Sequence, residues 1–141
     1  ITTEDGRSLA DRHSVRAVPA TIIDGRLTFV GVPSLESAEK ALLLKPDDGY
    51  ITDSLGWVYF QKGELDQAFL YCWKAYQAVP KEPTIAEHLG DIFLKKDEAN
   101  KAMSYFKESL KFMEKDQEED HSKAIDRVRG KIELLKKLLL P

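Results

Sequence analysis

The chain has 141 residues, of which 43% are hydrophobic and 32% charged, with a formal net charge of −3 at pH 7. This composition predicts one or two small globular domains. Because the chain has no excess of positive charge, nucleic acid is not expected as its main partner. Lysines interrupt the apolar stretch at residues 134–140, so the sequence predicts no membrane span.

The first part of the chain predicts a small α/β segment. Residues 4–13 are polar and favour a short helix, whereas residues 17–23 and 26–31 are rich in β-branched and aromatic side chains. These two runs flank Asp24-Gly25, which is the strongest short signal for a β-hairpin. A two-residue turn places Ile22 opposite Leu27.

Residues 14–31 resemble the second half of a thioredoxin or glutaredoxin-like domain. In that family a Val-Pro step precedes the fourth strand, so the resemblance implies a cis peptide bond at Pro19. The alternative is that Pro19 starts an edge strand in the trans form. The given sequence holds no Cys-x-x-C pair, because Cys72 is its single cysteine, and disulfide exchange is therefore not expected. We expect Cys72 to be a buried apolar residue rather than a reactive thiol.

The next predicted helix, at residues 34–45, has two possible identities. It resembles the last helix of a thioredoxin-like domain, with Ser34 as its N-terminal cap. It also has Ala41 and Pro46 at 34 residues before Ala75 and Pro80, as expected for the second helix of a preceding repeat. Both identities hold if one helix serves two cores, which predicts a fusion without a flexible linker, natural or engineered.

Two segments, 49–82 and 83–116, carry the same residue types at the same positions. The shared positions are Leu55-Gly56 and Leu89-Gly90, Tyr59 and Phe93, and Ala68 and Ala102. A period near 34 residues is typical of stacked helix pairs. The small residues are expected where antiparallel helices cross, since a larger side chain would separate the helix axes. Gly63 is expected to end the first helix, and Asp97 takes its place in the second segment.

This pattern resembles the tetratricopeptide repeat. The resemblance implies a mainly α fold, with residues 1–44 as the α/β segment and residues 45–141 as two repeats followed by a capping helix. That helix, predicted at 121–140, carries apolar residues at helical spacing and would cover the last repeat. Gly130 lies inside it, and we expect a close approach or a bend there.

The resemblance also implies a concave binding surface formed by the first helix of each repeat. Helical spacing places the following residues on that face as candidates for peptide binding: Tyr50, Asp53, Trp57, Phe60 and Gln61 in the first repeat, and Thr84, Glu87, Asp91, Leu94 and Lys95 in the second. Aromatic rings beside carboxylates suit a peptide with an apolar anchor and a basic side chain. We expect the Asp53 and Asp91 carboxylates to be exposed. Trp57 and Phe60 could instead contact a neighbouring helix.

The sequence shows no catalytic group, metal-ligand spacing or cofactor motif, so we expect no enzyme activity, metal or cofactor. The leading hypothesis is a non-enzymatic scaffold that binds a peptide or partner protein. The alternatives are a remnant or fragment of a thioredoxin-like redox protein joined to repeats, and a purely structural fusion without a ligand. A location in the cytoplasm or bacterial periplasm fits, but the sequence does not distinguish them. Because the strand from Ala17 to Ile23 lacks a partner on one edge, we also predict a two-fold homodimer formed by antiparallel pairing of that strand.

Overall fold

The computed structural model describes residues 20–23, 26–29 and 33–141. In this part of the chain two strands precede six helices: β1 (Ala20–Ile23), β2 (Arg26–Phe29), α1 (Leu35–Leu44), α2 (Gly49–Gln61), α3 (Leu65–Ala78), α4 (Pro83–Lys95), α5 (Ala99–Lys115) and α6 (Ser122–Leu139). The chain divides into two units, Ile1–Ala78 and Val79–Pro141. None of the described helices is long and apolar enough to cross a membrane.

The two strands pair antiparallel, with Ala20 opposite Phe29 and Ile22 opposite Leu27. Residues 1–19, 24–25 and 30–32 lie outside the described part of the chain. The expected helix at 4–13 and the cis bond at Pro19 fall there, as does most of the segment that resembles thioredoxin. The proposed domain boundary after residue 44 also stays a prediction.

In the first unit, α1 packs against α2. Ala38 of α1 forms a buried cluster with Leu55 and Val58 of α2, and Tyr59 and Tyr71 pack against this cluster. The Ser34 side chain accepts a hydrogen bond from the Ser37 amide at 3.1 Å, so the predicted N-terminal cap is confirmed. This contact fits the second helix of a preceding repeat, and the identity of the helix as part of a thioredoxin-like segment stays a prediction.

The small residues lie at the helix crossings, as predicted. A Cβ atom added to Gly56 would lie 2.5 Å from the Cys72 sulfur and 2.9 Å from the Cys72 backbone nitrogen. In the second unit, a Cβ atom on Gly90 would lie 2.5 Å from the Phe106 ring. Ala68 and Ala102 are fully buried on the partner helices. Each unit therefore holds one close antiparallel crossing at the same point of the 34-residue period.

The repeat is also visible in aromatic pairs and in the backbone. The Tyr59 and Tyr71 rings stack with centroids 5.5 Å apart, and the rings of Phe93 and Tyr105, each 34 residues later, stack at 5.4 Å. Gly63 ends the turn after α2 with a φ of 78°, and Asp97 adopts a φ of 60° at the equivalent position. This left-handed conformation favours glycine, and aspartate is among the residues that tolerate it best.

Of the two explanations expected for Gly130 of α6, a close approach or a bend, the structure contradicts the first. A Cβ atom added to Gly130 would meet no atom within 4 Å, so this glycine does not mark a close approach. The helix instead uses Val128, Ile132 and Leu135 as its buried side, and it packs on α5.

Candidate functional site

In the first unit, α2 carries five of the predicted binding residues. Asp48 caps this helix by accepting hydrogen bonds from the backbone amides of Tyr50 and Ile51, at 2.9 and 3.2 Å. Capping fixes the start of α2 and hence the direction in which the side chains of its first turns point. Tyr50, next to the cap, is 39% exposed.

Trp57 and Phe60 form the aromatic part of this face. Their rings stack with centroids 4.5 Å apart and planes inclined by 14°, and both side chains are half-buried. Gln61 follows at the end of the helix and is exposed. We call the surface formed by Tyr50, Trp57, Phe60 and Gln61 the aromatic surface. Its chemistry suits apolar or aromatic side chains of a ligand.

Asp53 does not lie on an exposed face. It is 7% exposed, so the expectation of an exposed carboxylate is wrong. It contacts Cys72 of α3, whose thiol hydrogen-bonds to it; burial first, and then the Asp53 charge and this bond, raise the pKa of the thiol well above its usual value. Cys72 is fully buried, as predicted, and the raised pKa keeps it a protonated, unreactive thiol.

In the second unit, the acidic residues Glu87 and Asp91 of α4 are occupied by the side chains of α6. Arg127 donates two hydrogen bonds to the Glu87 carboxylate, from Nε at 2.8 Å and from Nη2 at 2.7 Å. Lys131 donates to Glu87 at 2.7 Å and to both Asp91 oxygens at 2.8 Å. We call these four residues the ion-pair cluster. Asp91 was expected to be exposed, but its side chain is only 15% exposed.

Burial raises the pKa values of the two carboxyl groups, whereas ion pairing lowers them. Burial raises the pKa of Glu87, but the hydrogen bonds from Arg127 and Lys131 outweigh it, so the pKa lies below its ordinary value. For Asp91 the effect of burial is larger than the lowering by Lys131. The nearby Glu87 charge also raises the pKa, so the pKa of Asp91 lies above its ordinary value. Glu87, with two cationic partners, is thus the firmly ionised member of the cluster.

The remaining predicted residues of α4 do not join the ion-pair cluster. Leu94 is half-buried, whereas Lys95 and Thr84 are exposed. The sequence analysis missed Arg127 and Lys131. Their four-residue spacing on α6 matches that of Glu87 and Asp91 on α4, and this complementary spacing was the available signal.

One group of described side chains has the composition of a metal site. Asp116, Glu119 and His121, between α5 and α6, bring one donor atom each within 4.8 Å of one another. The His121 Nε2 and Asp116 Oδ2 atoms are 2.8 Å apart, and this hydrogen bond lowers the pKa of Asp116. Both carboxylates are exposed, and a histidine–aspartate bond before α6 accounts for the arrangement without a metal.

Comparisons with known proteins agree with this geometry. No protein-family profile matches the chain. It is 42% identical over 52 residues to the TPR repeat-containing protein PA4667 of Pseudomonas aeruginosa, a match that covers 37% of this chain and 9% of that protein. It is 31% identical over 78 residues to the TPR repeat-containing protein MJ1428 of Methanocaldococcus jannaschii, covering 55% of this chain and 14% of that protein. The chain thus corresponds to a small part of these relatives.

Among solved structures, the type III secretion translocator chaperone SycD of Yersinia enterocolitica is similar to this chain. In its complex with a peptide of the translocator YopD, the TM-score is 0.65 at 20% identity, covering 72% of this chain and 76% of the chaperone chain. An alternative dimer of SycD gives a TM-score of 0.68 at 20% identity, covering 75% and 80%. The fold is of the tetratricopeptide repeat type. This establishes the mainly helical architecture that the 34-residue period predicted.

Proposed function

We propose that this chain is a non-enzymatic binding module and that the aromatic surface of α2 receives an apolar side chain of a peptide or partner protein. The observation that carries the proposal is the stacked pair of Trp57 and Phe60, on the same helix as the partly exposed Tyr50. Aromatic side chains dominate the energetics of many protein interfaces because they bury a large area with few rotatable bonds.

The carboxylates give less support to recognition of a basic side chain. Asp53 is buried against Cys72, while Arg127 and Lys131 already neutralise Glu87 and Asp91. A basic peptide residue would have to displace these internal partners, at the cost of several charge-assisted hydrogen bonds. We therefore propose that apolar contacts, rather than charge, select the ligand at this surface. The SycD structure with a translocator peptide supports peptide binding by this fold in that protein.

A fluorescence titration tests the proposal. Peptides selected on the intact chain from a random phage-displayed library are labelled and titrated with the parent and with Trp57→Ala and Phe60→Ala. We expect each variant to bind about 10-fold to 30-fold more weakly, the range of a central aromatic contact. Leu70→Ala is the matched control, since Leu70 is an exposed apolar residue of α3. Unchanged affinity of both aromatic variants, with parental circular dichroism spectra, contradicts the proposal.

We further propose the two-fold homodimer in which the strand from Ala17 to Ile23 lies antiparallel to the same strand of a second copy. β1 pairs with β2, and within the described residues the sheet has two strands. A two-stranded sheet is only marginally stable by itself, and a second copy would supply pairing to the other edge of β1. The alternative dimer of SycD supports association only in that protein.

A further inference from the structure

The C-terminal end of α6 exposes an unusual amount of apolar surface. The eight large apolar residues that are exposed in the described part of the chain include four from this end: Leu134, Leu138, Leu139 and Leu140, with exposures of 58, 66, 42 and 70%. The buried side of the helix is already supplied by Val128, Ile132 and Leu135. Several exposed leucines at one end of a helix are more apolar surface than single scattered residues, and larger exposed apolar patches often mark interaction sites.

Two of these leucines border a groove between α5 and α6. The groove encloses about 550 Å³, and its apolar lining comes from Met103, Leu139 and Leu140. This volume accommodates several side chains of a ligand, and the groove is open to solvent along one side. It belongs entirely to the second unit and is formed by residues other than the aromatic surface and the ion-pair cluster.

Lysines border the apolar lining. Lys107 of α5 and Lys136 and Lys137 of α6 line the same groove, together with a single acidic residue, Glu133. Lys136 donates to Glu133 at 2.7 Å, whereas Lys107 and Lys137 form no ion pair with any described residue. The groove therefore presents leucine and methionine side chains next to the ammonium groups of Lys107 and Lys137, although the Lys137 charge also acts on the nearby Glu133 carboxylate. We call it the lysine-rimmed groove.

α6 is positively charged, in contrast to the chain as a whole. The sequence of α6 contains six lysines and arginines and two acidic residues, although the whole chain has a net charge of −3. Of the six basic residues, Arg127, Arg129 and Lys131 have partners on α4 and α5. Of the other three, Lys123 lies outside the groove, Lys136 pairs with Glu133, and Lys137 lines the groove without an ion pair. Together with Lys107 of α5 it can attract an acidic partner, and charge complementarity favours both the rate and the specificity of such binding.

We propose that the lysine-rimmed groove binds an acidic amphipathic helix of a partner protein. Leucine-type side chains of that helix would enter between Met103, Leu139 and Leu140, and its aspartate or glutamate residues would pair with Lys107 and Lys137. A groove between two helices suits a third helix because side chains spaced three and four residues apart interdigitate with those below. Residues 133–139 span about two helical turns, roughly 10 Å, and could contact two or three such side chains.

The probe for the test is a fluorescein-labelled model helix with leucines at helical spacing and glutamates on the flanking positions. A second probe has lysine in place of every glutamate. We expect micromolar binding of the acidic probe by the intact chain, weakened by added salt, and no measurable binding of the basic probe. Lys107→Glu combined with Lys137→Glu should weaken binding of the acidic probe about tenfold or more, and Leu139→Asp should do the same.

Lys111→Glu combined with Lys115→Glu is the matched control, because both lysines are exposed on α5 outside the groove. Trp57→Ala should bind the acidic probe as the parent does, which separates this proposal from that for the aromatic surface. The proposal is overturned if the acidic probe does not bind, or if the groove variants and the control weaken it equally. It is also overturned if vesicles of anionic lipid bind the chain through these leucines while the acidic probe fails to compete.

Discussion

Removal of the Glu87 charge is expected to loosen α6 and to lower the stability of the chain. The Glu87 side chain is buried, and its carboxylate accepts three hydrogen bonds, two from Arg127 and one from Lys131. Glu87→Gln keeps the size of the side chain but places an amide group among cationic donors. Losing one member of a fully buried pair costs about 3–5 kcal/mol, whereas an exposed pair contributes about 0–1 kcal/mol.

The exposure of the partners places the expected loss between these limits. Arg127 is 54% exposed and regains water when Glu87 is neutral, while Lys131, which is 27% exposed, keeps Asp91 as its partner. We therefore expect Glu87→Gln to cost about 2–3 kcal/mol of unfolding free energy. For a chain of this size that is a fall in Tm of roughly 4–12 °C.

The assay is thermal unfolding followed by circular dichroism, together with hydrogen exchange of residues 122–139. Arg129→Gln is the matched control, because Arg129 pairs with Glu114 at 2.9 Å and both side chains are about half exposed. It should cost less than about 1 kcal/mol. A Tm of Glu87→Gln within error of the parent, with unchanged exchange in α6, refutes the assigned role of the cluster.

The same cluster predicts a dependence on pH. The lowered pKa of Glu87 means that its contribution to stability is complete above the ordinary value of 4.5 and is lost as the pH falls through the lowered value. The raised pKa of Asp91 has the opposite effect on stability, since protonation of Asp91 on acidification removes the cost of a buried charge. The difference in stability between the parent and Glu87→Gln should therefore stay constant above pH 4.5 and shrink below it.

Three further predictions concern packing, the thiol and assembly. Gly56→Ala should lower the free energy of unfolding by about 1–3 kcal/mol, because the added Cβ would overlap Cys72. Gly130→Ala, where the added Cβ has open space, should stabilise the chain by up to about 1 kcal/mol. Equal changes in the melting temperatures of the two variants would contradict the assigned helix crossing. Cys72 should react with a disulfide reagent only after denaturation, and fast labelling of the native chain would disprove its burial. Light scattering should give the mass of two chains for the parent and of one for Ile22→Pro, and a single-chain parental mass would end the dimer proposal.

Packing could be predicted from the sequence because it depends on residue size at fixed positions. Gly56 and Gly90 recur with the 34-residue period, and each faces a side chain of the partner helix at a distance that admits no Cβ. Asp97 departs from the glycine found at residue 63, yet the backbone there keeps a positive φ. The local period was therefore sufficient to locate both helix pairs and the turns inside them.

The ion-pair cluster could not be predicted in the same way. Arg127 and Glu87 are 40 residues apart, and their contact depends on how far α6 is shifted along α4, which no local pattern specifies. The sequence analysis used only the apolar residues of this helix, because an amphipathic pattern identifies the buried side but not the partners of its polar residues. Ser109 is a smaller case: it replaces the Ala75 of the first repeat and donates to the Pro83 carbonyl at 2.7 Å.

Two of the residues that helical spacing assigned to an exposed face are buried acids. Asp53 and Glu87 occupy the same position of the repeat, and both are buried, 7 and 5% exposed. This position therefore turns toward neighbouring side chains in both units, a Cys72 thiol in one case and an arginine and a lysine in the other. One turn later the repeats diverge, since Trp57 stacks on Phe60 whereas Asp91 binds Lys131. Because the second unit uses its carboxylates internally, the proposed binding at the aromatic surface of α2 is expected to follow apolar shape more than charge.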